Sequence, residues 1–73
     1  MSDQLLLDRI SCDSGVMVGK PVIKGTRLTV EFVLNLLGHG STFDDILAEY
    51  EGLAPDDIRA CLLFASRSLS ESA

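Results

Sequence analysis

Thr29-Val30-Glu31-Phe32-Val33-Leu34-Asn35-Leu36-Leu37-Gly38-His39-Gly40-Ser41-Thr42-Phe43-Asp44-Asp45-Ile46-Leu47 reads as two short helices, each with its own start and stop signals. Thr29 suits an N-cap, because its hydroxyl can accept an orphan N–H of the first turn. Glu31 then sits where a carboxylate favours the positive end of the helix dipole. This predicts a helix over 30–37. Gly38-His39-Gly40 ends it, since glycine tolerates the left-handed conformation that follows a helix. Thr42-x-x-Asp45 is a capping box opening a second helix to about Tyr50. Phe43, Ile46, Leu47 and Tyr50 fall on one face at i, i+3, i+4 and i+7.

Downstream, Gly52 ends the second helix and Pro55 takes the first position of a third, with Asp56 and Asp57 in its first turn. Ile58, Cys61, Leu62, Ala65 and Leu69 form its expected core stripe, and the Ser-rich residues 66–73 are expected to fray. Upstream, Leu5-Leu6-Leu7-Asp8-Arg9-Ile10-Ser11 reads as a strand and Ser14-Gly15 as a turn. Gly19-Lys20-Pro21 is a second turn, leading into the β-branched pair Val22-Ile23. The expectation is one mainly α domain over residues 1–73. A β or extended segment covers 1–29 and a tri-helical core covers 30–69. The short connection at 51–54 is compatible with a helix-turn-helix.

A chain of 73 residues buries only about 60% of the surface it exposes when unfolded, so its stability is marginal. Disulfides, a metal or a second subunit usually reinforce domains of this size. Cys12 and Cys61 lack metal-site or redox spacing. Asp3 and Asp8 stand where a secretory leader would be basic, so the reading is a cytoplasmic chain with two free thiols. The longest apolar run is too short for a bilayer. With disulfides not expected, the remaining way to gain buried area is self-association, as a homo-oligomer, or a partner.

The charge divides unevenly. Residues 1–40 balance four basic against four acidic side chains, whereas residues 41–73 hold two basic and seven acidic. Phosphate backbones reward Lys and Arg and repel carboxylates. Any phosphate or partner contact of that kind is therefore expected from Arg9, Lys20, Lys24 and Arg27. The acidic part suits a basic protein partner better.

Helix 30–37 has only Glu31 and Asn35 as polar residues, more apolar than a surface helix of a monomer requires. Leu34 and Leu37 are accordingly candidate protein-interface positions. On the third helix Leu63 is expected to point away from the core, with Arg59 and Arg67 four residues to either side on the same face. An apolar anchor between two arginines suits an interface, although a single exposed leucine is ordinary.

No constellation with catalytic chemistry emerges. Gly19-Lys20-Pro21-Val22-Ile23-Lys24-Gly25-Thr26-Arg27 has the composition of a phosphate loop in the wrong order, since Lys24 precedes Gly25. His39 has no companion ligand for a metal. Cys61 sits on the core stripe, where a thiol behaves as a small hydrophobe. Asp44/Asp45 and Asp56/Asp57 are accounted for by helix-start electrostatics. No enzyme activity and no cofactor are expected.

The run Gly19-Lys20-Pro21-Val22-Ile23-Lys24-Gly25-Thr26-Arg27-Leu28-Thr29-Val30, followed by Gly40, Asp44-Asp45-Ile46-Leu47, Tyr50, Leu53 and Pro55-Asp56-Asp57-Ile58, resembles the bacterial domain-of-unknown-function family 433 over about residues 9–66. The resemblance implies a homeodomain-like or winged-helix-like tri-helical fold with an N-terminal β element, dimeric. It also implies an antitoxin-like role beside a PIN-like ribonuclease toxin. Three departures stand out. Val18 occupies a position where a glycine is usual, and Ala54 replaces a Thr or Ser cap. The chain also ends soon after its last helix, so inhibition is expected to use the folded surface or the N-terminal segment.

The leading expectation is thus a protein-binding, antitoxin-like domain. A DNA-binding regulator of helix-turn-helix type is the alternative, disfavoured because Asp56 and Asp57 would face a polyanion. A purely oligomeric structural domain is the third.

Overall fold

A computed structural model describes residues 2–12 and 19–72. Among these residues the chain runs α1 (Asp3–Leu7), β1 (Ile10–Ser11), β2 (Val22–Ile23), α2 (Val30–Gly38), α3 (Phe43–Glu49) and α4 (Pro55–Ser72). The architecture is mainly helical behind a short N-terminal antiparallel pair, in which Ile10 faces Ile23 and Ser11 faces Val22.

The expected first strand is only partly present. Leu5, Leu6 and Leu7 belong to α1, and only Ile10 and Ser11 pair as strand. The local reason is a cap that hydropathy alone does not reveal. Ser2 accepts the Leu5 N–H at 3.3 Å, and Asp3 occupies the first turn. The Ser14-Gly15 turn lies outside the described residues.

The stretch between β2 and α2 is a tight hairpin-like loop. Ile23 N–H donates to Leu28 O at 3.0 Å, and Val30 N–H donates to Pro21 O at 3.0 Å. Gly25 adopts φ +79°, a left-handed conformation that favours glycine. Thr26 Oγ1 donates to Ile23 O at 2.8 Å and accepts the Leu28 N–H at 3.0 Å.

Both expected caps form. Thr29 Oγ1 accepts from Phe32 N–H at 3.0 Å to open α2. Thr42 and Asp45 exchange side chain and backbone at 3.1 and 3.0 Å to open α3. Ile23, Val30, Val33, Ile46, Ile58 and Cys61 form the buried core, with Phe43, Leu47 and Tyr50 packed around it.

Helix α4 departs from expectation twice. It continues through Ser72 instead of fraying from residue 66. Its inward face is also rotated: Asp57, Ile58, Ala60 and Cys61 are buried and Phe64 packs on the core, whereas Leu62 and Leu69 remain 43% and 72% exposed. The rotation follows from Asp57. This residue lies inside the fold because two groups hold its carboxylate: the Arg9 guanidinium at 3.0 Å and the Ala54 N–H at 2.9 Å. No helix in the described residues is long and apolar enough to cross a membrane.

Candidate functional site

The four candidate phosphate contacts do not act as one cluster. Arg9 reaches back to the first turn of α4, 3.0 Å from Asp57 and 3.9 Å from Asp56. Lys20 pairs with Glu31 at 3.1 Å. Lys24 and Arg27 are exposed, with no ion pair among the described residues. The Thr26 hydroxyl, which a phosphate-binding loop would keep for its ligand, is consumed within the loop at both its donor and acceptor sides.

The candidate interface residues fall into two groups. Arg59 binds Asp56 at 2.9 Å, and Arg67 binds Asp3 of α1 at 2.8 Å. Leu63, on that same side of α4, is half-buried rather than fully exposed. Leu37 is half-buried against the core. Leu34 also packs partly on the core and in addition lines an open apolar groove of about 410 Å³ with Pro21, Val30, Phe64, Ala65 and Leu69. The groove runs between α2 and α4. Leu62 and Leu69, assigned from their spacing to the core, are the two large apolar side chains that α4 leaves exposed. The signal for this was present in Asp57. A carboxylate at the i−4 position from Cys61, with Arg9 to receive it, turns the helix away from the stripe drawn through Leu62 and Leu69.

A second surface is acidic. Asp44, Asp45, Glu49 and Glu51 lie on α3 or just beyond it, all exposed. None of them forms an ion pair among the described residues. Asp45 closes the capping box, and Asp45 and Glu49 border a shallow pocket of about 230 Å³ with Leu36, Ser41, Ile46 and Tyr50. Beside it, Phe32 meets the Tyr50 ring edge-on, with centroids 5.9 Å apart.

Cys61 is moved clearly out of its ordinary titration range. Burial pushes its thiol from 9.0 up to about 11, and the nearby Asp57 carboxylate adds to the rise. A protonated, buried thiol is a poor nucleophile. Cys12 is free and exposed. His39 Nδ1 lies 2.8 Å from Asn35 O at the end of α2, which places the ring at the negative end of that helix. No group of three or more His, Cys, Asp or Glu side chains among the described residues is arranged to hold a metal ion.

The family described as "Protein of unknown function (DUF433)" matches residues 10–65. An uncharacterized protein of Archaeoglobus fulgidus is 64% identical over 25 residues, covering 34% of this chain and 69% of that protein. The crystal structure of a DUF433 member protein from Anabaena variabilis is similar at a TM-score of 0.81 and 26% identity, over 93% of this chain and 67% of that one.

Proposed function

We propose a role on the premise that this chain belongs to the DUF433 family, proteins of unknown function: it is a non-catalytic protein-binding domain, an antitoxin-like partner of a PIN-like ribonuclease. The observation that carries this reading is the acidic edge of α3. Asp44, Asp45, Glu49 and Glu51 concentrate negative charge that no cation among the described residues neutralises. A ribonuclease must present a basic surface to its polyanionic substrate. A folded acidic edge is complementary to that surface, steers the encounter and competes with RNA for it.

The DNA-binding alternative is weakened by the same pairs that build the fold. Two of its four candidate cations, Arg9 and Lys20, are engaged within the chain. The first turn of α4, which a helix-turn-helix would aim at base edges, instead has Asp57 buried against Arg9 and Asp56 paired with Arg59.

The test is co-expression with the product of the neighbouring gene, which this reading expects to be a ribonuclease, followed by isolation of a complex and assay of RNA cleavage. A stable complex with suppressed cleavage is expected. The double variant Glu49→Lys, Glu51→Lys changes exposed side chains and should weaken the complex by about tenfold or more, with a reduced dependence on salt. Failure of the two chains to associate, or a complex indifferent to that charge reversal, would overturn the reading.

A further inference from the structure

We infer that α1 is a displaceable strap. It hinges at Asp8–Arg9, leaves α4 without the rest of the domain unfolding, and on leaving uncovers an apolar face of α4 around Phe64. None of the residues involved lies on α3, so the strap goes beyond the acidic-edge reading and stands apart from it.

Little of the domain's burial depends on α1. The helix spans five residues and buries none of them. Leu5 at its centre is 59% exposed. Neither the buried core nor the half-buried side chains packed on it include a residue of α1. The helix lies along α4, yet a hollow of about 280 Å³ remains there, lined by Leu7, Ile10, Phe64, Arg67 and Ser68. Such a contact falls short of the packing density of a protein interior. So short a helix does not persist alone. α1 therefore keeps its form only while it lies on α4, and its release and its melting are a single event.

The two ends of the segment are held differently. Arg9 is anchored: its guanidinium meets Asp57 at 3.0 Å, its carbonyl accepts the Lys24 N–H at 2.8 Å, and Ile10 beyond it faces Ile23 in the strand pair. At the other end Asp3 meets Arg67 at 2.8 Å, with both side chains more than half exposed. Exposed pairs of this kind are weak, and salt screens them. Other bonds of the segment are local, from Leu6 N–H to Ser2 O, Asp8 N–H to Gln4 O and Gln4 Nε2 to Asp8 Oδ1. Breaking them disturbs no group of the core. A firm anchor at Arg9 and a weak clasp at Asp3 make a hinge at one end and a release at the other.

Phe64 and Ser68 line both this hollow and the groove between α2 and α4. Withdrawing Leu7 from the hollow joins the two into one apolar trough along α4, with Phe64 at the junction. The strap thereby sets how much of that face is open to solvent, and ionic strength acts on the strap through the Asp3–Arg67 clasp.

The experiment is native-state hydrogen exchange on the full chain, read by NMR at increasing sub-denaturing urea, for the parent and for Arg67→Gln. The Leu6 and Asp8 amides report on α1, and the Val33, Ile46 and Tyr50 amides on the core. The α1 amides should exchange at least about tenfold faster than the core amides. Their rates should barely respond to urea, because the opening exposes little surface, whereas the core amides follow global unfolding. In Arg67→Gln the α1 amides should exchange about two- to fivefold faster at low salt while the core amides stay unchanged. Salt at about 1 M should shrink that difference. Equal rates or equal urea slopes for the two sets would overturn the proposal, since α1 would then leave only when the whole domain unfolds. An Arg67→Gln variant that shifts both sets alike, or neither, would overturn it too. Capture of a ribonuclease by α3 is decided by the co-expression experiment, and neither result bears on the other.

Discussion

Arg9 Nη1 donates to Asp57 Oδ1 at 3.0 Å across a separation of 48 residues, and the other oxygen of the same carboxylate accepts the Ala54 N–H at 2.9 Å. One side chain therefore fastens the N-terminal segment to α4 and also caps the start of that helix. Asp57 is 8% exposed, so both bonds form largely out of water, where leaving a polar group unpaired is most costly.

The two partners should differ in their effect on stability. Asp57→Ala removes both bonds and leaves Arg9 and the Ala54 N–H without their acceptor, at a cost of about 2–3 kcal/mol. Arg9→Ala leaves the capping bond intact. Loss of the guanidinium strands the buried Asp57 Oδ1, but Arg9 is itself 37% exposed, so the cost should be about 1–2 kcal/mol, below that of Asp57→Ala. Urea unfolding of the two single variants and the double variant checks this. Equal losses from both would mean that the cap contributes nothing.

Ala54 offers the opposite experiment. Asp57 already supplies the returning half of a capping box to the Ala54 N–H, but Ala54 has no oxygen to give to the first turn. Ala54→Ser completes the box and should stabilise the fold by about 0.5–1 kcal/mol. Thermal unfolding should show a rise in Tm of about 4–8 °C per kcal/mol gained. An unchanged or lower Tm would show that the half-buried site cannot accept the hydroxyl in capping geometry.

The Gly25-Thr26-Arg27 signature is structural in the same sense. Thr26→Val keeps the shape and removes a hydroxyl that bonds Ile23 O and Leu28 N–H. Because both partners lie in the loop that launches α2, the variant should lose about 1–2 kcal/mol. Its affinity for phosphate or nucleic acid should not change. A variant of unaltered stability and reduced anion affinity would restore the phosphate-loop reading of this motif.

The helix starts were legible because their signals are local. Thr29, Thr42-x-x-Asp45 and Pro55 act within one turn of themselves. The core of α3 followed from periodicity, with Ile46 buried and Phe43, Leu47 and Tyr50 packed around it. What could not be read locally depends on partners distant in the chain. The direction α4 faces is set by Arg9 holding Asp57, so a stripe drawn through Leu62 and Leu69 placed surface residues in the core. At α1 the run Leu5-Leu6-Leu7 suggests a strand because three residues carry no helical period, and the decisive group, Ser2, precedes the apolar run. The candidate surface divided in the same way. The excess of carboxylates after residue 40 was visible in composition. The intramolecular pairing of Arg9, Lys20, Arg59 and Arg67 was not, because each meets an acid that only the fold brings near.

Cys61 gives the domain a pH dependence whose sign is fixed by its surroundings. Burial, aided by the Asp57 carboxylate, raises the thiol from 9.0 to about 11 in the folded chain. Below about pH 9 the thiol is protonated whether the chain is folded or not, and its contribution to stability is complete. Between 9 and about 11 the unfolded chain releases the proton while the folded chain keeps it. Unfolding is then favoured by about 1.4 kcal/mol for each pH unit. Above about 11 both forms are thiolate and this contribution is gone. Cys61→Ala removes the titration at a packing cost of about 1 kcal/mol. Urea midpoints measured from pH 8 to 11 should therefore fall more steeply for the parent chain than for the variant. Parallel slopes would mean that the thiol is not held in its protonated form. Alkylation provides a second reading at pH 8. Iodoacetamide should modify the exposed Cys12 in the native chain and reach the buried Cys61 only when the fold opens. Rapid native modification of both thiols would show that the α4 face bearing Asp57 and Cys61 is not closed by Arg9.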